Sequence, residues 1–178
     1  MMRLVLLVIW ILAIMAATTT ASLSQTSRNP VPVDTMCGPK SLLYVCEKLD
    51  IDTKLDELSR LSGKNNKGTT MAGLLEAARQ KGLTCVGGKM GFSELSTIHT
   101  LAIAHLWGNH FVVVEHKGDG VEVVDLSSKD NRMPLETFQS LYSGFVLLLG
   151  KGSIAMPESN HGGPDIRLDL DPRLRLFL

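Results

Sequence analysis

The stretch TMCGPKSLLYVCEKL, residues 35 to 49, places a cysteine directly ahead of a Gly-Pro pair and an amphipathic run. A thiol at the front of a helix faces the positive end of the helix dipole and unpaired backbone N–H groups, both of which favour the thiolate, the nucleophilic form. Cys37 is therefore the candidate nucleophile, set against the commoner fate of a cysteine as a small buried residue. A nucleophilic thiol needs a base within reach. Five histidines are available, His99, His105, His110, His116 and His161.

The surroundings of each histidine choose among them. In HFVVVEHKGDGVEVVD two β-rich runs fold back through KGDG, a hairpin turn. The numbers 110 and 125 sum to an odd value, as do the positions of a two-residue turn at Lys117-Gly118 or Gly118-Asp119. Either register puts His110 and Asp125 on one face, directly opposite or one diagonal apart. A carboxylate beside an imidazole fixes its tautomer and supports its charged form. Cys37, His110 and Asp125 together have the make-up of a thiol hydrolase, a nucleophile, a general base and a group that orients the base. The bland counterpart is a strand that happens to begin with histidine and another that ends in an aspartate turn. His99 and His161 read as loop residues, His105 lies in a strand and His116 adjoins the hairpin turn, so none of these four is given a chemical role.

These residues need elements to hold them. From Pro39 onward Leu42, Val45, Cys46 and Leu49 recur at helical spacing, with the proline at home in the first turn. A second helix is expected in TKLDELSRL, with Gly63 as its stop, and a third in TMAGLLEAARQKG, capped by Thr69 or Thr70 and ended by Gly82. After Gly82 the period shortens. LTCV, LAIAHLW, HFVVVEH, VEVVD and FVLLL are rich in β-branched residues and separated by turn signals, with one short helix, PLETFQSLY, before the last. Helices followed by an antiparallel sheet make an α+β domain of two packed layers, with a cleft at the seam between the first helix and the sheet. The glycine pairs Gly87-Gly88 and Gly162-Gly163 read as turns.

The 178 residues suffice for one domain of ordinary size, expected over 34–150. Acidic and basic residues balance at 18 each, which excludes the electrostatic footprint of a nucleic-acid binder. No ligand pairs stand at metal spacing, so neither a metal nor another cofactor is expected. Residues 1–21 begin with a cationic Arg3, continue as an apolar run and end in small residues. That is the layout of a secretory signal cleaved after Ala21, or of an uncleaved anchor that would associate the protein with a membrane. Residues 22–33 read as a linker and 151–178 as a tail. In an exported chain, three cysteines leave at least one thiol unpaired within the molecule. Two buried free thiols at Cys46 and Cys85, or a bridge between them, would each leave Cys37 free.

Five segments in order, CGPKSLL, GTTMAGLLEAARQKGL, LAIAHLWGNHFVVVE, VEVVDL and LETFQSLYSGFVLLL, give the chain from about 34 to 149 a resemblance to the C39 family of cysteine peptidases, papain-like domains best known for trimming leader peptides from bacteriocin precursors. The resemblance implies a papain-like fold, a peptide or protein substrate, Cys37 as nucleophile, His110 as general base and Asp125 as its orienting partner. The family's oxyanion glutamine would stand six residues ahead of the cysteine, where this chain has Val31. The backbone N–H groups of Cys37 and Gly38 are then the expected oxyanion donors. Two other functions share these residues: a peptide-binding module with little or no turnover, and a cell-wall amidase or acyl transferase using the same Cys–His pair.

Overall fold

The computed structural model describes residues 34–154 apart from Asp119, so the expected signal or anchor, the linker and most of the tail lie outside the described residues. Among the described residues three helices come first: α1 (Cys37–Lys48), α2 (Leu55–Leu61) and α3 (Met71–Gln80). They are followed by β1 (Thr84–Lys89), a single-turn helix α4 (Phe92–Leu95), β2 (Leu101–Leu106), β3 (His110–Lys117), β4 (Gly120–Val124), α5 (Leu135–Leu141) and β5 (Tyr142–Gly150). The expected elements form where the apolar spacing places them; α4, with only one turn of sequence, carries too little periodicity to be read in advance. Thr70 rather than Thr69 caps α3, accepting a hydrogen bond from the Gly73 N–H at 2.9 Å. Thr69 is buried and donates instead to the Ser62 carbonyl.

The five strands make one antiparallel sheet in the order β1-β5-β2-β3-β4. The helices α1, α2 and α3 cover one face, where Leu42, Val45, Cys46, Leu58, Leu74 and Ala77 pack on Ile103, Val113, Leu147 and Leu149. The opposite face is not left to solvent. Phe138 of α5, Leu95 of α4, Met90 and Ile98 close over Ala102, Ala104, Val112, Val114, Val146 and Leu148. The arrangement has three layers where two were expected. The physical reason lies in the strands: AIA, FVVV and VLLL are apolar without alternation, and such a strand is stable only when both of its faces are covered.

Gly87-Gly88 is corrected from a turn to the interior of β1, paired with Leu147 and Val146 of β5. The apolar run of β5 offers a complete ladder to its neighbour, and backbone pairing overrides the local tendency of paired glycines to turn. Among the described residues no helix is long and apolar enough to cross a membrane.

Candidate active site

The nucleophile's position is set by the way α1 docks. Asp34 shapes the chain entering the helix: its Oδ1 accepts the Met36 N–H at 2.9 Å and its carbonyl accepts the Cys37 N–H at 3.2 Å. Cys37 is then the first helical residue, only 4% exposed. Gly38 makes the close approach feasible, since a Cβ there would run into the Thr69 methyl and press on Phe111 and Leu74. One turn further along, the buried Ser41 hydroxyl donates to the Phe111 carbonyl at 3.4 Å.

That contact explains how a helix and a strand end share one site. The pairing of β3 with β4 runs only from Lys117↔Gly120 to Val113↔Val124. At Phe111 the outer edge of β3 is free of a strand partner, and α1 takes the place of one. Ser41 meets the Phe111 carbonyl, while the Phe111 N–H lies beside the Cys37 sulfur and lowers its pKa.

Burial has the largest effect on the thiol and pushes its pKa up. The Phe111 N–H opposes that, the Asp34 carboxylate adds to it, and the Gly38 N–H and Asp125 carboxylate contribute smaller effects of opposite sign. The net pKa lies above the ordinary cysteine value. The expectation of a thiolate favoured by the helix terminus is therefore corrected: at a nearly sealed helix start, desolvation outweighs the dipole.

His110 and Asp125 meet. His110 Nε2 and Asp125 Oδ1 are 3.0 Å apart, at one-diagonal spacing, because the register puts Asp125 opposite position 112. The same Oδ1 accepts the Ser127 N–H at 3.0 Å. With Nε2 donating to the carboxylate, Nδ1 is the ring nitrogen left with a lone pair for proton transfer. Among the described residues the Cys37 sulfur makes no hydrogen bond to this ring; its contact is with the backbone of the next residue, Phe111. Of the two expected oxyanion donors, the Cys37 N–H is engaged by Asp34, and the Gly38 N–H remains beside the sulfur.

His105 is committed elsewhere. The Ser143 hydroxyl donates to the His105 carbonyl at 2.8 Å and so accepts from His105 Nδ1–H, also at 2.8 Å. Burial, and then the nearby His110, hold the His105 pKa down. The His99 and His116 rings lie against each other with centroids 4.3 Å apart and planes tilted by 42°, and His161 lies outside the described residues. Cys46 and Cys85 are free thiols, each pushed up to about 11 chiefly by burial. Among the described residues no group of three or more His, Cys, Asp or Glu side chains is arranged to hold a metal ion.

Sequence reasoning passed over Asp34, Lys40 and Ser127. Asp34 Oδ2 accepts from Lys40 Nζ and from Ser127 Oγ, both at 2.7 Å. The available signal was the pattern Asp-x-x-Cys ahead of a helix and Asp-x-Ser after a strand, each able to form a turn in which the carboxylate accepts an N–H two residues on.

Residues 33–153 match the model of the Peptidase C39 family. An uncharacterized protein of Methanothermobacter marburgensis is 31% identical over 114 residues, 64% of this chain and 80% of its own length. A double glycine motif protease from an AMS/PCAT transporter, solved in complex with the leader peptide, superposes with a TM-score of 0.59 at 28% identity, covering 65% of this chain and 84% of that one. The peptidase domain of Streptococcus ComA, a bifunctional ABC transporter involved in quorum sensing, shares the fold at the same TM-score with 24% identity, over 66% of this chain and 93% of its own. The family match runs without a break through the helix that opens on Cys37, the hairpin behind His110 and the closing strand, and by it this chain belongs to the peptidase C39 family.

Proposed function

We propose that the chain is a cysteine peptidase that hydrolyses peptide bonds through Cys37, His110 and Asp125. The observation that carries this reading is the 3.0 Å pairing of His110 Nε2 with Asp125, which leaves Nδ1 available as a base, on the strand end against which the Cys37 helix docks. His110 Nδ1 takes the thiol proton as the sulfur attacks the substrate carbonyl carbon. The Gly38 N–H donates to the oxyanion that forms. The protonated ring then gives its proton to the leaving amine, and water, deprotonated by the same nitrogen, releases the acid product and restores the thiol. A thiol held protonated by burial makes the base indispensable: the proton has to leave as the bond forms. Similarity to a protease solved with its leader peptide supports a peptide substrate.

The test is selective alkylation together with turnover. Iodoacetamide at neutral pH is expected to label Cys37 in the parent, with the rate falling by about 10²-fold or more in His110→Ala. Peptides with and without a Gly-Gly site are expected to be cut by the parent and left whole by Cys37→Ala, as read by mass spectrometry. Equal labelling rates in the parent and His110→Ala would remove the proposal.

Val31, at the place of the family's oxyanion glutamine, and the engaged Cys37 N–H favour a second reading, a peptide-binding module with weak turnover. Binding of a peptide without any cleavage would select it. The apolar residues 4–17 behind Arg3 support export of the domain. N-terminal sequencing of the protein from culture medium or periplasm, and its absence from the cytoplasm, is the expected outcome.

A further inference from the structure

Asp125 sits one residue past the end of β4, where no strand pairing fixes the direction of its carboxylate. Its local support is the Ser127 N–H together with the Ser128 bonds to the Asp125 carbonyl, and Leu126 packs on the helix-side core. A polar tie from this loop to the chain entering the Cys37 helix comes from Asp34, 93 residues before Ser127 in sequence. The Ser127 hydroxyl donates to Asp34 Oδ2 at 2.7 Å, the Lys40 ammonium donates to the same oxygen at 2.7 Å, and the other carboxylate oxygen and the carbonyl of Asp34 hold the Met36 and Cys37 N–H groups. One residue thus supports the backbone under the nucleophile and the loop that carries the carboxylate behind the base.

We propose that Asp34 and Ser127 form a clip that positions the His110–Asp125 pair against the helix bearing Cys37, so that both are positioning residues for the proton transfer. This rests on the cysteine peptidase reading above. The charge balance at the site fits a positioning role. A carboxylate near a thiol that must lose a proton opposes its ionisation, and Asp34 acts on Cys37 in that direction. Lys40 offsets the charge, and the carboxyl is held below the ordinary aspartate range, against its burial, by hydrogen bonds from Lys40, Ser127 and the Met36 N–H. What Asp34 contributes to the site is geometry.

The test uses the full chain and compares Ser127→Ala, Ser127→Thr, Asp34→Ala and Asp34→Asn by three measurements: the thermal midpoint, the neutral-pH iodoacetamide rate at Cys37, and long-range proton–nitrogen NMR spectra that identify the His110 tautomer. Ser127→Ala keeps the backbone N–H but loses the tie to Asp34. It is expected to lower the alkylation rate by about ten- to a hundredfold and to turn a single Nε2–H form of His110 into a mixture. Ser127→Thr restores both. Asp34→Asn keeps one acceptor oxygen for the Met36 N–H and turns the other into an amide NH2 that can donate to the Ser127 hydroxyl, so the loop stays tied and the single tautomer is expected to be retained, whereas Asp34→Ala behaves as Ser127→Ala does. A Ser127→Ala protein with the parental tautomer and alkylation rate overturns the clip, and so does one that loses only thermal stability. The tautomer is read without turnover, so a parent that cuts no peptide would remove the peptidase reading while leaving the clip to stand or fall by its own spectra.

Discussion

Two cysteines on one helix show how position sets reactivity. Cys37 and Cys46 both lie in α1 and are both buried, but the sulfur of Cys37 has the Phe111 and Gly38 N–H groups beside it, whereas Cys46 packs in the apolar cluster and feels only more distant charges, chiefly Lys81. Burial pushes the Cys46 thiol from an ordinary 9.0 up to about 11. The unfolded chain ionises first, so the stability tied to the neutral Cys46 is fully present below pH 9 and is lost as the pH climbs through 11. Two pKa units correspond to about 3 kcal/mol. Thermal melts between pH 8 and 11.5 are expected to show a falling midpoint, with a shallower fall in Cys46→Ala than in the parent. At Cys37, burial defeats the helix terminus that the sequence points to. The choice between the two effects depends on solvent access, which no spacing of residues encodes.

At the scale of elements, the docking of α1 on β3 depends on the absence of a side chain at Gly38. Gly38→Ala would push the helix away from Thr69, Phe111 and Leu74 and is expected to cost about 1–3 kcal/mol in chemical denaturation. Thr69→Ser removes the obstructing methyl and keeps the hydroxyl that donates to the Ser62 carbonyl at 2.7 Å. The double variant is therefore expected to recover most of that loss, whereas additive losses would show that the methyl contact is not the cause. The hairpin was the most legible element. Parity about its turn put His110 and Asp125 on one face before any coordinates, because side chains alternate with a period of two. Gly87-Gly88 was misread because a turn tendency is local, whereas the ladder that recruits those glycines into β1 is supplied by β5, some sixty residues later.

At the scale of the whole domain, the sheet separates two apolar clusters that share no buried side chain among the described residues. Phe138 is fully buried on the face away from α1, with Phe92 at 6.0 Å and Tyr142 at 5.1 Å between ring centroids. Phe138→Ala is expected to cost about 3–5 kcal/mol. The alkylation rate of Cys37 per folded molecule should stay parental, because the described residues around the thiol belong to the helix-covered face. A large change in that rate at temperatures where the variant is folded would show that the two faces are coupled. The third layer was foreshadowed by the unbroken apolar runs of the strands, but α4 and α5 are too short to announce that they cover it.

The order of helices and strands apart from α4, the helix that starts at Cys37 and the pairing of His110 with Asp125 followed from sequence alone, because apolar periodicity and hairpin parity are properties of neighbouring residues. Only the tertiary structure decided that α1 replaces a strand beside Phe111, that Cys37 is nearly sealed from water, and that Asp34 reaches Ser127 across 93 positions. Those three depend on which surfaces meet when the chain closes on itself, and contacts between distant segments leave no periodic trace in the residues that make them.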